Sequence, residues 1–438
     1  MRLRGPMVGV VIVIGLAGLL LYWAGEIVRA DDEHVASKLE REQEREKERE
    51  KTHRLVSQVR HRIPLVGLDE DQMDALAELG YADWGTTDTP GVSGVTIHDS
   101  DSAWAGLNLY KSFAAKEAHL MDMDGDVVHT WRAPDTIEGK WCHQMLLPGG
   151  DLMGIVRGRY VERVAWDSTL LWRTEIPAHH DFDVDGEGRV LVLIERVREV
   201  PVRGVVLPVM DNGIAILSPE GELLEEVWLS DLFADKILER KFISIQKHVQ
   251  EQQPGHEHAR GDGLDVFHTN TVEVLPRDVP GLGSAGQVLV SLRALDLVAV
   301  VDLDGPRLVW SWGEGEVDGQ HQPTLLPNDH LLIFDNGDGR GWSRVIELDP
   351  LSGEIVWEYR ADPTEDFFTN SRGGSERLAN GNVLVTESNR GRVFEVTREG
   401  ELVWEFLNPD VAHNARGTIY RLHRLTPEEL ASLPPIDS

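Results

Sequence analysis

Short apolar runs separated by polar turns fill the chain from about Gly91 to Pro409. Inside the later stretches the order repeats: an opening run, a polar turn such as LPND or ANGN, an apolar run such as NVLV, a third run such as RVFEV, and a run ending in tryptophan. Alternating apolar positions bounded at regular intervals by turn residues predict short antiparallel strands. The last run is a recurring phrase, a turn built on Asp or Gly followed by an apolar residue and tryptophan. Its six copies end at Trp131, Trp172, Trp228, Trp310, Trp357 and Trp404, at intervals of 41, 56, 82, 47 and 47 residues. A four-stranded propeller blade takes roughly 40 to 50 residues, so six copies with two insertions predict six blades. The expected fold is therefore all-β, a six-bladed β-propeller over residues 91–438 with an inserted loop at 231–263. Blade one is expected from Gly91 to Pro134. The alternating segment TIYRLHRL, Thr418 to Leu425, should return to it, because closure removes exposed sheet edges.

Ahead of the repeats the pattern changes twice. Arg2 and Arg4 precede a nearly uncharged run from Gly5 to Gly25, and Glu26, Asp31, Asp32 and Glu33 follow it. Such a run can cross a bilayer core of about 30 Å. Positive charge before it puts the remainder outside the cytoplasm, periplasmic in a cell with an outer membrane. The competing reading is a cleaved signal peptide ending at Val28-Arg29-Ala30; both export the propeller. Residues 1–30 are thus expected to be a transmembrane signal-anchor and 31–90 a short charged helical stalk and linker. In the stalk REQEREKEREK spaces Glu and Lys or Arg for pairing along a helix. Leu68, Met73, Leu76 and Leu79 mark a further small helix that stops at Gly80. A helical stalk leaves self-association as a homo-oligomer open.

Charge and cysteine content narrow the chemistry. The 438 residues carry a formal net charge of −32, the opposite of the clustered basic surface that phosphate backbones need, so no nucleic-acid partner is expected. Cys142 is the single cysteine, which excludes an intramolecular disulfide and any CxxC site. DMDGD at Asp122 to Asp126 and DFDVDG at Asp181 to Gly186 look like calcium loops, but the second has Val192 where an EF-hand needs glutamate. They read as β-turns. His248, His256 and His258 lie in the inserted loop, which gives no preorganised site, and no metal or other cofactor is expected.

Histidine recurs in the opening strands of the blades. HDFDVDGEGRVLV from His180 aligns without a gap to HQPTLLPNDHLLI from His321, so both side chains should occupy the same place in their blades. In FHTNTVEVLP, His268 and Asn270 share a face by the two-residue period of a strand. WCHQMLLPGGD places Cys142, with His143 beside it, at the corresponding position of blade two; Gly373 holds it in blade six, beside Arg372. Inner strands of a propeller line its channel, so these histidines should converge near one end of the axis. Convergent titratable groups mark functional sites. A lone strand histidine is more often structural; three in related places are harder to dismiss. Metal binding is one use, and the other is a nucleophilic histidine with histidine and arginine around an anion, for which Arg293 and Arg344 could supply charge. The plain alternative for each arginine is a salt bridge within an acidic protein.

At these motifs the sequence resembles the PAPS-independent arylsulfotransferases, bacterial exported enzymes built on a six-bladed propeller. The resemblance runs from Gly91 to Leu425 and rests on HHDFDVDGEG, FHTNTVEVLP, VLVSLR, GQHQPTLLPNDHLLIFDNG, WSRVIELD and IYRLHRL in the family's order. The His321 segment followed by Phe334-Asp335-Asn336-Gly337 carries most weight. The resemblance implies that His321 is the nucleophile that takes a sulfuryl group from an aryl sulfate donor and passes it to a phenolic acceptor. His268, Asn270 and Arg293 would then hold the sulfuryl oxygens or assist proton transfer, and His180 would complete the pocket. His179 competes for that last place; strand alternation favours His180. A noncatalytic exported propeller that binds a ligand or partner is the alternative, since this fold hosts many functions. A quinone-dependent dehydrogenase fits less well, because such propellers usually have eight blades and often adjacent cysteines.

Overall fold

Each tryptophan phrase folds as the fourth strand of an antiparallel sheet, and six such sheets follow one another along the chain. The computed structural model describes residues 84–87, 89–134, 140–202, 205–233 and 264–436, which lie in the unit Ala77–Ser438. The expected transmembrane segment, most of the stalk with its helices, and nearly all of the 231–263 loop lie outside the described residues. Among the described residues no helix is long and apolar enough to cross a membrane.

The second sheet shows the plan: His143–Leu146, Leu152–Val156, Tyr160–Val164 and Leu170–Thr174, paired in that order. Its second strand is buried throughout, as are Val288–Leu292, Leu331–Asp335 and Val383–Glu387 in the fourth, fifth and sixth sheets. These strands lie between two neighbouring sheets and are therefore apolar on both faces. Outer strands such as Glu354–Tyr359 have only one covered face and alternate. Six apolar clusters fill the six spaces between neighbouring sheets, the last joining the sixth sheet to the first. Each fully buried Val, Leu or Phe contributes about 1.5–3 kcal/mol. The architecture is all-β, multi-sheet and propeller-like.

The C-terminal strand Ile419–Arg424 pairs with Asn108–Ser112 and forms the inner edge of the first sheet, as the alternation of TIYRLHRL predicts. The start of blade one differs from expectation. Gly94–His98 pairs with Leu402–Leu407 and is the outermost strand of the sixth sheet, so chain from both ends joins the first and last sheets. The wide spacing before Trp228 also has a cause outside the inserted loop. Val190–Val202 and Val205–Leu217 form one hairpin with thirteen residues in each strand, and the short strand Leu264–Asp265 lies parallel to Val209–Met210. The two acidic turns are turns: Asp122 Oδ1 accepts from the backbone N–H groups of Asp124 and Asp126, and Asp185 Oδ1 from those of Glu187 and Arg189.

Inner strands leave backbone N–H groups without partners in their own sheet. Side chains from the neighbouring inner strand supply them: Asp181 accepts from Val272, Asp183 from Val274, Glu273 from Leu325, Gln322 from Ser375 and Glu376 from Arg424. Buried edge groups must be satisfied, and here the satisfaction also links sheet to sheet.

Candidate functional site

Near the start of the inner strands the ladders break. His180, His268, Gln322 and Arg372 have φ of 53°, 45°, 43° and 61°, and the register shifts between Ala178 and Phe182, between Thr269 and Thr271, and between His321 and Thr324. A left-handed non-glycine residue costs roughly 1–2 kcal/mol, and strain of this kind concentrates at working sites. The breaks turn side chains out of the pleat into a cavity of about 60 Å³.

His180, His268, Arg293 and His321 line that cavity, together with Phe113, Cys142, Arg157, Ser371, Arg372 and Tyr420. His321 is buried; its Nδ1 lies 2.7 Å from Asn336 Oδ1 and 3.1 Å from the Gly319 carbonyl. His268 is gripped by Asp265, whose carboxylate accepts from its backbone N–H at 2.9 Å and meets Nδ1 at 2.5 Å. The His180 and His268 rings are 5.0 Å apart, and Tyr420 Oη is 3.5 Å from His180 Nδ1. Arg293 opens a single 3-10 turn, Arg293–Leu295. Its Nη2 donates to the Asn370 carbonyl at 3.1 Å and lies 3.6 Å from the Asp338 carboxylate, so the salt-bridging alternative is partly realised here, while its buried Nε has no hydrogen-bond partner among the described residues.

The sixth sheet contributes no imidazole because Gly373 holds the position corresponding to His321. A Cβ there would come within 2.6 Å of the Phe334 ring, and φ is +94°. Only glycine fits both conditions.

Three arginines, Arg157, Arg293 and Arg372, thus line the cavity of a strongly acidic protein; Arg157 lies 3.8 Å from Glu195 and Arg293 3.6 Å from Asp338. Low-dielectric walls with convergent positive charge attract anions. Burial, helped by Arg293, holds the His321 ring well below the usual histidine range, so it is neutral at physiological pH. Burial does the same to His180, with His268 and Arg157 adding to it. Burial raises the Tyr420 hydroxyl and the Cys142 thiol, which keeps both protonated.

The other four sequence candidates stand outside the lining. Asn270 is buried, donates to the Gln320 carbonyl at 2.9 Å and accepts from Thr271 Oγ1. The register break at Thr269 separates it from the cavity that His268 faces, so the two do not share a face as strand alternation had implied. Arg344 spends its guanidinium on Asp335, Glu358 and the Glu316 carbonyl, the salt-bridging alternative. His179 is buried beside Glu195, its Nδ1 3.9 Å from the carboxylate; His180, not His179, reaches the cavity. His143 Nε2 lies 3.0 Å from Asp181 Oδ1. Asp181 also takes Arg421 at 3.0 Å, and so meets side chains of two other inner strands.

Sequence reasoning gave no role to Asn336, Asp265, Phe113, Arg157, Arg372 or Tyr420. Asp265 carried a signal, an acidic residue three positions before a strand histidine. Tyr420 sits in the closing strand, where alternation alone does not say which residue reaches the site.

A comparison with curated proteins gave no match. Among solved structures, a Bacteroides caccae protein of unknown function matches at 14% identity and TM-score 0.48, covering 72% of this chain and 98% of its own. A catalytically inactive virginiamycin B lyase from Staphylococcus aureus, solved with quinupristin, matches at 12% identity and TM-score 0.41, covering 74% and 85%. A streptogramin B lyase matches at 11% and 0.41, covering 78% and 97%. The arylsulfotransferase (ASST) family profile matches residues 145–409, more than half of the chain and including His180, His268, Arg293 and His321. The chain therefore belongs to the arylsulfotransferase (ASST) family.

Proposed function

We propose that this protein transfers a sulfuryl group from an aryl sulfate to a phenolic acceptor through a sulfohistidine at His321. The observation that carries the reading is a buried, neutral histidine on the wall of a cavity lined by two further histidines and three arginines, with Ser371, Cys142 and Tyr420 as its other polar groups. Nε2 of His321 attacks sulfur; the N–S bond forms as the S–O bond to the aryl group breaks. The departing phenolate takes a proton from His268, which is held by Asp265. In the second half the acceptor oxygen attacks sulfur, the N–S bond breaks, and the phenolic proton returns to His268. Arg293 faces the charge that spreads over the sulfuryl oxygens, and such preorganised donors are commonly the largest single term in catalysis. Phe113 and Tyr420 give the aryl ring apolar surface. His180 completes the wall.

The six sheets are read as a closed six-bladed propeller, held outside the cytoplasm by the apolar run Gly5 to Gly25. Its flanking charges support that orientation. Protease accessibility of the propeller in spheroplasts, compared with lysed cells, tests it.

The direct test of the reaction is release of 4-nitrophenol from 4-nitrophenyl sulfate, with and without a phenolic acceptor, by wild type and His321→Ala. Acceptor-dependent release that vanishes in the variant is the expected result. Equal rates in the two proteins would overturn the assignment of the nucleophile, and no release across a panel of donors would favour a ligand-binding propeller.

A further inference from the structure

We infer that Asn336 is a positioning residue that fixes the tautomer of His321, holding hydrogen on Nδ1 so that the Nε2 lone pair is the one free to react. The inference rests on the proposed role of His321 as nucleophile. Asn336 follows the second strand of the fifth sheet, Leu331–Asp335, and is fully buried. Its Nδ2 lies 2.7 Å from the Thr369 carbonyl and 2.8 Å from the Arg372 carbonyl. Carbonyl oxygens only accept, so these two contacts orient the amide: nitrogen toward Thr369 and Arg372, Oδ1 toward His321.

With that orientation set, Nδ1 of His321 faces two acceptors, Asn336 Oδ1 at 2.7 Å and the Gly319 carbonyl at 3.1 Å. A nitrogen between two acceptors has to carry hydrogen. A neutral imidazole has only one N–H, so Nε2 is left with its lone pair. The opposite tautomer would set a lone pair against two oxygens in a buried site and forfeit the hydrogen bond.

The choice of an amide matters as much as its position. At His268 the same ring nitrogen faces a carboxylate, Asp265. A carboxylate in place of Asn336 would also fix the tautomer of His321, but its charge would favour the imidazolium, which cannot attack sulfur. An amide orients the ring without adding charge. Burial, with Arg293 nearby, also opposes protonation of His321.

The test uses the full-length chain labelled with 15N at its histidine ring nitrogens, with the His321 signals assigned by difference against His321→Gln. At neutral pH the expected pattern is a protonated Nδ1 and an unprotonated Nε2. Asn336→Ala should mix or reverse the tautomers and slow the first-turnover burst of 4-nitrophenol by roughly 10- to 100-fold, the scale of loss when a partner that orients a metal-ligating histidine is removed. KM for the donor should hardly move. Asn336→Asp keeps the acceptor and should keep the tautomer, while its ring titrates at higher pH and its burst rate recovers as pH rises.

A wild-type ring protonated on Nε2 would overturn the inference, and that reading needs no variant to fold. So would an Asn336→Ala protein that keeps both tautomer and burst. If the tautomers behave as expected but His321→Gln still turns over, the nucleophile assignment fails and the positioning role of Asn336 stands. The two ideas therefore fail separately.

Discussion

The third and fifth sheets present a histidine at the same distance from their first turn, yet the two residues are built in differently. Val184 pairs with Val190 and Leu325 with Leu331 on either side of those turns, which makes His180 and His321 equivalent by count. His321 stays in the ladder, opposite Phe334, and the left-handed residue is its successor Gln322. His180 is itself the left-handed residue, inside the break. Fifteen positions after His321 stands Asn336, against the ring; fifteen after His180 stands Glu195, which turns to His179 and Arg157. Equal position in a repeat brings both rings to one cavity. What backs each ring decides what it can do there.

The largest expected effect separates those two roles. His321→Ala should lose sulfuryl transfer altogether and take up no label from a 35S-labelled aryl sulfate. His180→Ala should still be labelled and turn over more slowly, because it removes a wall group and leaves the nucleophile. Labelling of His321→Ala at the wild-type level would invert the assignment. Next in size is Arg293→Met. Loss of one donor to a developing oxyanion costs roughly 10² to 10³ in rate, and the loss should appear in kcat more than in KM. A milder check follows from the depressed His321 ring. The burst rate should stay level as pH falls from 8 through 6.5 and decline only well below it, where the ring gains a proton. A decline centred on 6.5 would show a ring exposed to solvent.

Much of this was legible in the sequence because it repeats. The tryptophan phrases mark outer strands, and the same irregularity recurs in the pairing of third and fourth strands in all six sheets, as between Glu347 and Leu348 or Glu395 and Val396. Blade closure by Ile419–Arg424 was legible from alternation, and the convergence of His180 and His321 from their shared turn; His268 precedes a longer turn and aligned only approximately. The breaks at the inner strands were not. A left-handed residue at His268 or Gln322 has no glycine to announce it, so alternation carried past the break misplaces Asn270. Asn336 and Asp265 were hidden for a second reason: each acts on a ring from outside its strand, through contacts that exist only once sheets and loops are packed.

The smallest effect concerns stability and again divides the two sheets. In the third sheet, burial lowers the His179 ring to about 4 and raises the Asp183 carboxyl to about 6; the fifth sheet has Thr324 where the third has Asp183. For His179 the unfolded chain binds more protons between about pH 6.5 and 4, so its contribution is complete above 6.5 and lost as pH falls through that window. For Asp183 the folded chain binds more protons between about pH 4 and 6, so its contribution is complete below 4 and lost as pH rises through 6. Each is worth at most about 3 kcal/mol at 1.36 kcal/mol per pK unit, with opposite sign, and in wild type they largely cancel. Urea midpoints measured from pH 7 to 4 should therefore separate the variants. Relative to wild type, His179→Gln should gain stability on acidification and Asp183→Asn should lose it. Parallel profiles for all three proteins would mean that neither group is buried in the state its surroundings dictate.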